Sequence, residues 1–267
     1  MYSCYLIHMH KSVLLFIIIS VLLFSGCTKK QPKADDLSKI IQRDKLIVGV
    51  RTDTQPFGFL DKNNEPAGYD IDIAKIIAAA VLGDDKKIEF VNVTASDRIR
   101  KLITNEVDIL AATISITDQR QEILDFSIPY YRAGQAMMLP AKSNIISLKE
   151  LSGKKVIIVY GSTGERSIRT SIPNVIVTGY KTYDEAYNAL KSGKADALIA
   201  DDTLLYRYTI ADPEVKLLPK RYSKEYYAIA LRKDAASQRL LIRINSVLQN
   251  LQTSGRLKIL QTKWGIK

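Results

Sequence analysis

Between Ile109 and Ser127 the hydrophobic pattern changes from continuous to alternating and then breaks into a helix, and this change restricts the fold more than any other stretch. Ile109, Leu110 and Ala111 form an apolar run short enough for a buried strand. Thr113-Ile114-Ser115-Ile116-Thr117 then alternates hydroxyl with isoleucine at the strand period of two, which places the hydroxyls on one face. Asp118 follows as a helix N-cap, so Arg120 falls in the first turn of a short helix beside free backbone N–H groups. Hydroxyls, open amides and a guanidinium converge there on a place for one small anion, because a planar Arg fork matches a carboxylate in two hydrogen bonds. The same residues also describe a plain strand-turn-helix with a surface arginine.

Upstream, Lys45 to Val50 has the β-branched content of a strand, and Arg51 to Phe59 is a loop broken by Pro56 and Gly58. Gly68-Tyr69-Asp70-Ile71-Asp72-Ile73-Ala74 opens a helix to about Leu82 with its acidic residues at the positive end of the dipole. Lys87 to Val93 is a second strand, and Ser96 or Asp97 caps a helix through Asn105. This β-α-β-α-β order asks for a sheet with helices on its faces and a binding crevice at the strands' carboxyl ends.

The 267 residues suffice for one large domain or two small ones. A formal charge of +11 is unusual, but the basic residues are scattered, which indicates attraction to anionic surfaces or ligands and no nucleic-acid footprint. Both cysteines, Cys4 and Cys27, and both histidines, His8 and His10, precede the expected folded part. No disulfide, metal site or cofactor is therefore expected in the core.

Val13 to Phe24 is an apolar run preceded by Lys11, too short for a comfortable membrane span and suited to an export signal. It ends in Ser25-Gly26-Cys27, which resembles a bacterial lipoprotein signal with Cys27 as the lipidated residue. Phe24 stands where Leu is usual. A chance cysteine after an uncleaved anchor helix is the other reading, and Met9 is a second candidate start. Thr28 to Ser38 is polar and charged, the composition of a flexible tether. The expected organisation is thus a signal over 1–26, a tether over 27–38, a first lobe from 39–138 and 230–267, and a second lobe over 139–229.

Six blocks in order, LIVGV with Arg51, Pro56-Phe57-Gly58-Phe59, GYDIDIA, Glu106-Val107-Asp108, ATISIT with Arg120, and DFSIPYY, resemble family 3 of the bacterial extracellular solute-binding proteins, the amino-acid receptors of ABC importers. The similarity runs from about Lys45 to Trp264. It implies an α/β, two-lobed periplasmic-binding-protein-like clamp, each lobe a sheet flanked by helices. Two crossovers near 136–139 and 228–230 would join the lobes as a hinge that closes on one amino acid. The implied partners are an amino-acid ligand, the permease subunits of an ABC transporter and the membrane through Cys27, with the protein a monomer.

Gly161-Ser162-Thr163-Gly164-Glu165 is a glycine-rich turn before a helix, able to hold phosphate or carboxylate. It lacks the lysine of a phosphate loop. In the resembled family this turn meets the ligand's carboxylate, which would set Ser162, Thr163 and Gly164 opposite Arg120 with Thr113 and Ser115. Asp201 ends the strand Ala195–Ala200, where the family's aspartate accepts the α-ammonium group; Asp202 competes for that role or for capping the next helix.

Arg51 and Arg98 occupy two further places that face the same crevice in this fold, and aspartate and glutamate receptors of the family carry a basic residue at both. Three arginines against one aspartate leave positive charge that a second ligand carboxylate would relieve, so the expectation is an acidic amino acid, glutamate or aspartate. Glutamine or a basic amino acid such as arginine is the alternative, although the aromatic that stacks near Ala95 in such receptors is absent. Arg51 and Arg98 have a plainer reading too, as partners of Asp53 or Asp97 on a solvated face. Phe57, Tyr69 and Tyr131 either wall the pocket or fill the core.

The same clamp is used by dehydratases and lytic transglycosylases, whose chemistry needs a positioned acid or base. The chain after Cys27 has no histidine, and Glu165 is the only carboxylate in the binding turn, so an enzyme is not expected. A sensor or adhesin that keeps amino-acid binding is a third reading, separable by whether deletion abolishes uptake.

Overall fold

Two pentads rich in β-branched residues organise the molecule, and each holds the same place in its own sheet. The computed structural model describes residues 34–266. The export signal, Cys27 and the first part of the expected tether lie outside the described residues.

The amino-terminal half carries β1 (Leu46–Val50), β2 (Asp53–Thr54), β3 (Gly58–Leu60), β4 (Pro66–Ala67), β5 (Ile88–Asn92), β6 (Ile109–Ala111), β7 (Leu124–Phe126) and β8 (Tyr131–Ala133). The rest carries β9 (Gln135–Pro140), β10 (Lys155–Val159), β11 (Ile176–Tyr180), β12 (Ala197–Asp201), β13 (Val215–Leu217), β14 (Glu225–Tyr227) and β15 (Ala230–Arg232). The first sheet runs β5-β1-β6-β15-β7, with β1 parallel to β5 and β6 and with Val48 opposite Ile109. The second runs β11-β10-β12-β9-β13, with β10 parallel to β11 and β12. Both therefore place the carboxyl ends of parallel strands at one edge, where ligands of such sheets bind.

Helices cover the sheets through apolar stripes. Leu240, Ile244, Leu248 and Leu251 recur at helical spacing on the helix Gln238–Thr253 and are fully or almost fully buried. That helix contacts the helix Tyr69–Leu82, whose Ile73 and Ile77 are also buried. Each such side chain contributes roughly 1.5–3 kcal/mol.

Three expectations shift. A helix, Asp36–Arg43, begins inside the stretch read as tether, because Asp35 caps it through Ser38 N and Arg232 holds Asp36 at 2.7 Å while Ile40 is buried. Ordered chain therefore starts before residue 39. The first crossover also comes earlier: β9 lies wholly in the second sheet, with Met137 and Met138 opposite Ile199 and Leu198. The lobes are instead joined by β8 and β14, which pair as an antiparallel ribbon with Tyr131 opposite Tyr227. Finally, Thr113 to Thr117 is not a regular strand. It keeps a single bridge, Ser115 to Tyr227, and Thr113 has a left-handed φ of 46°.

Candidate ligand site

The broken alternation at Thr113 does more for the site than a straight strand would. Asp70, buried in the first turn of the helix Tyr69–Leu82, accepts the Thr113 amide at 2.8 Å and the Tyr130 hydroxyl at 2.8 Å. It thereby holds Thr113 in a conformation that few non-glycine residues adopt. The N-cap of the next helix, Asp118–Gln121, is Thr117, whose hydroxyl accepts the Arg120 amide; Asp118 is the first helical residue. Arg120 is brought to the crevice as expected, one turn differently capped.

Across from it, Ser162 caps the helix Thr163–Ser171, and Arg120 donates through Nη2 to the Gly161 carbonyl at 3.0 Å and through Nη1 to the Ser115 carbonyl at 2.8 Å. Arg166 reaches Gln119 at 2.9 Å, and the Arg51 guanidinium lies over the Tyr183 ring at 5.1 Å. These contacts join the two lobes, so the cleft is closed. Gly161 allows the approach: its φ is +75°, and a Cβ there would stand 2.4 Å from the Ala95 carbonyl oxygen.

Within the closed cleft, Arg51, Arg98, Thr113, Ser115, Arg120, Ser162, Thr163, Tyr183 and Asp201 line one small cavity. Of the nine residues expected to touch the ligand, Gly164 alone is not in its wall; it is buried against Ile199. Asp202 is occupied elsewhere, accepting from Gly134 N and Arg221 Nε, whereas Asp201 turns into the cavity and accepts the Tyr227 hydroxyl at 2.5 Å. Phe57 and Tyr69 belong to a core aromatic cluster with Tyr131 and Tyr227 and do not line the cavity.

The sequence reading missed Tyr183 and the carboxylates behind the arginines. Tyr183 follows the carboxyl end of β11 and opens a helix, the same position by which Asp201 was found, so the signal was present. Asp53 grips Arg51 through two bonds of 2.8 and 2.6 Å, and burial of Arg51 is outweighed by this pair, which holds its pKa above the ordinary value. Arg98 is not paired with Asp97 or Asp53. It is 3% exposed and donates Nη1 to the carbonyls of Ala112 at 2.5 Å and Thr113 at 3.3 Å, while its Nε has no partner among the described residues.

Burial, then the charges of Arg120 and Arg51, push Arg98 down to about 9. Burial pushes Asp70 up to about 6 against its hydrogen bonds and the fields of Arg98 and Arg51. Asp201 is raised to about 7, by burial first and then by Glu225 of β14, and Arg120 is lowered by burial against the pull of Asp201 and Glu225.

A cavity at the strand ends of two sheets, lined by Arg120, Arg98 and Asp201 with no ion-pair partner for any of them among the described residues, is built for a small zwitterion. Residues 46–267 match the family model of the bacterial extracellular solute-binding proteins, family 3. The chain belongs to that family. It is a solute-binding receptor, as its residues predicted, and its relatives are receptors rather than enzymes. It is 37% identical over 263 residues, 95% of this chain and 96% of the relative, to the ABC transporter glutamine-binding protein GlnH of Bacillus subtilis (strain 168). It is 41% identical over 211 residues, 78% of this chain and 80% of the relative, to a glutamine-binding protein of Geobacillus stearothermophilus. Among solved structures, the cysteine-binding protein from Campylobacter jejuni superposes with a TM-score of 0.82 at 31% identity, covering 86% of this chain and 92% of that one. The two-lobed α/β clamp is thus the fold of the family.

Proposed function

We propose that this receptor binds glutamine in the closed cleft and delivers it to an ABC import permease. The observation that carries the reading is the pairing of the cavity-lining Arg51 with Asp53, which stands outside the wall. The expectation of an acidic ligand counted three arginines against one aspartate. With Asp53 on Arg51, and Asp70 one peptide away from Arg98 across Ala112–Thr113, that surplus shrinks, and a second ligand carboxylate has less unpaired charge to relieve. The two relatives at 37% and 41% identity are named for glutamine, which agrees.

In this reading Arg120, with Ser162 and Thr163, takes the α-carboxylate, Asp201 takes the α-ammonium group, and the unpartnered Nε of Arg98 donates to the side-chain carbonyl. Thr113 and Ser115 supply further hydroxyl partners. Titration calorimetry of the soluble domain with glutamine, glutamate, aspartate and arginine tests it. Glutamine binding tightest is the expected outcome, and glutamate binding tighter than glutamine overturns it.

Glutamate is the second reading, favoured by that same Arg98, which lacks a carboxylate within ion-pair distance among the described residues. The receptor is further proposed to act as a monomer on the outer side of the membrane, anchored through lipidated Cys27. Mass spectrometry of the mature amino terminus and release of Cys27→Ala into the medium check the anchor.

A further inference from the structure

The arginines of the cavity fall into two groups by what stands behind them. Arg120 leans on two backbone carbonyls, Ser115 and Gly161, and no carboxylate reaches it within ion-pair distance among the described residues. Arg51 is 1% exposed and its guanidinium is held edge-on by both oxygens of Asp53. Asp53 does not line the cavity; it sits outside the wall, on β2, with its side chain only 17% exposed. Asp70 is likewise outside the wall and 1% exposed, and the Ala112–Thr113 peptide stands between it and Arg98, its N–H donating to Asp70 at 2.8 Å and its carbonyl accepting from Arg98 at 2.5 Å.

Asp53 thus sits directly behind one guanidinium group and Asp70 one peptide away from another, and neither carboxylate lines the cavity. A buried arginine already satisfied by a carboxylate still offers N–H donors but presents little net charge. Such a wall recognises an oxygen acceptor without demanding an anion. Removing the carboxylate would leave the same donors with an uncompensated charge, and a buried charge draws an opposite one.

We infer that Asp53 and Asp70 are specificity-determining positioning residues, whose carboxylates neutralise Arg51 and Arg98 and so set the cleft to accept a neutral amide side chain in preference to a carboxylate. This rests on the glutamine reading above. Each also has a structural task, Asp53 in orienting Arg51 and Asp70 in clamping Thr113. A purely structural loss weakens all ligands together. A loss of counter-charge changes their ratio.

The test is titration calorimetry of wild type, Asp53→Asn and Asp70→Asn with glutamine and with glutamate at pH 7.5. Asparagine keeps the shape and one acceptor oxygen while removing the charge. The expected result is a rise of about tenfold or more in glutamate affinity relative to glutamine in each variant, with Asp53→Glu returning the ratio toward wild type. If Asp70→Asn fails to fold, Asp53→Asn decides alone, since Asp53 is the more exposed of the two. Wild type that ignores glutamine overturns the functional reading and this inference with it. Wild type that binds glutamine, with variants whose ratio stays within about twofold, overturns the inference and leaves the receptor assignment standing.

Discussion

Arg120 and Asp201, on the one hand, and Arg51 and Arg98, on the other, line the same cavity under opposite electrostatic conditions. The first two are a half-buried and a buried charge whose hydrogen-bond partners are neutral: two carbonyls for Arg120 and the Tyr227 hydroxyl for Asp201. Of the others, Arg51 has Asp53 in contact, and Arg98 has Asp70 one peptide away, on the far side of Ala112–Thr113. Unfinished charge belongs where every α-amino acid carries one, and compensated charge belongs where side chains differ. Affinity and specificity are therefore separable by mutation.

The largest effect should come from the uncompensated pair. Truncating one partner of a buried charge pair typically costs about 2–5 kcal/mol. Arg120→Ala and Asp201→Ala should thus each weaken glutamine binding by a factor on the order of a hundred or more, and should weaken other amino acids as much. Calorimetry reads this directly, and a loss confined to one ligand would break the comparison.

Arg98→Ala comes next. A hydrogen bond to a charged group contributes about 1.5–3 kcal/mol, so glutamine affinity should fall by a factor of roughly ten to a hundred, with a smaller loss for alanine. The variant should also melt lower, because the carbonyls of Ala112 and Thr113 lose their donor. Equal losses for glutamine and alanine would show that Arg98 does not read the side chain.

Gly161→Ala tests closure itself. The left-handed φ strains an alanine in open and closed forms alike and lowers the melting point somewhat, but the contact with the Ala95 carbonyl disfavours the closed form alone, so apparent affinity should fall about tenfold for every ligand. Small-angle scattering with ligand should show a more open clamp.

These contrasts also explain what could be read from the chain beforehand. Eight of the nine ligand residues named from sequence line one cavity, because strand ends and helix caps are local signals and Arg120, Ser162 and Asp201 sit on them. The expectation of an acidic ligand, set aside in the proposed reading, rested on a different kind of information. Asp53 is two residues from Arg51 and was seen only as a partner that would take Arg51 out of the site; the structure has it neutralise Arg51 within the site. Asp70 reaches the arginines across the fold from the helix after β4. Compensation of charge is a property of tertiary distance, which spacing along a chain does not encode. The helix capped by Asp35, inside the stretch expected as tether, was hidden likewise, since its ties run to Arg232 and Arg239 at the far end of the sequence.

The smallest effect is a proton. In the structure Asp201 is raised to about 7 by burial and by Glu225, with Arg120 and the Tyr227 hydroxyl opposing. An α-ammonium group seated against it stabilises the carboxylate, so binding selects the deprotonated form. Affinity should then be level above about pH 7 and fall as pH drops through it, by about threefold between pH 7.5 and 6.5 for one linked proton. Calorimetry in two buffers of different ionisation enthalpy should detect proton release below pH 7. Arg98→Ala should keep the same slope, since it acts on the ligand's other end, whereas Glu225→Gln should shift the fall to lower pH by removing a neighbouring negative charge. A flat profile in wild type would mean that Asp201 enters the complex already ionised, and that the unfinished charge at the main-chain end is smaller than its burial implies.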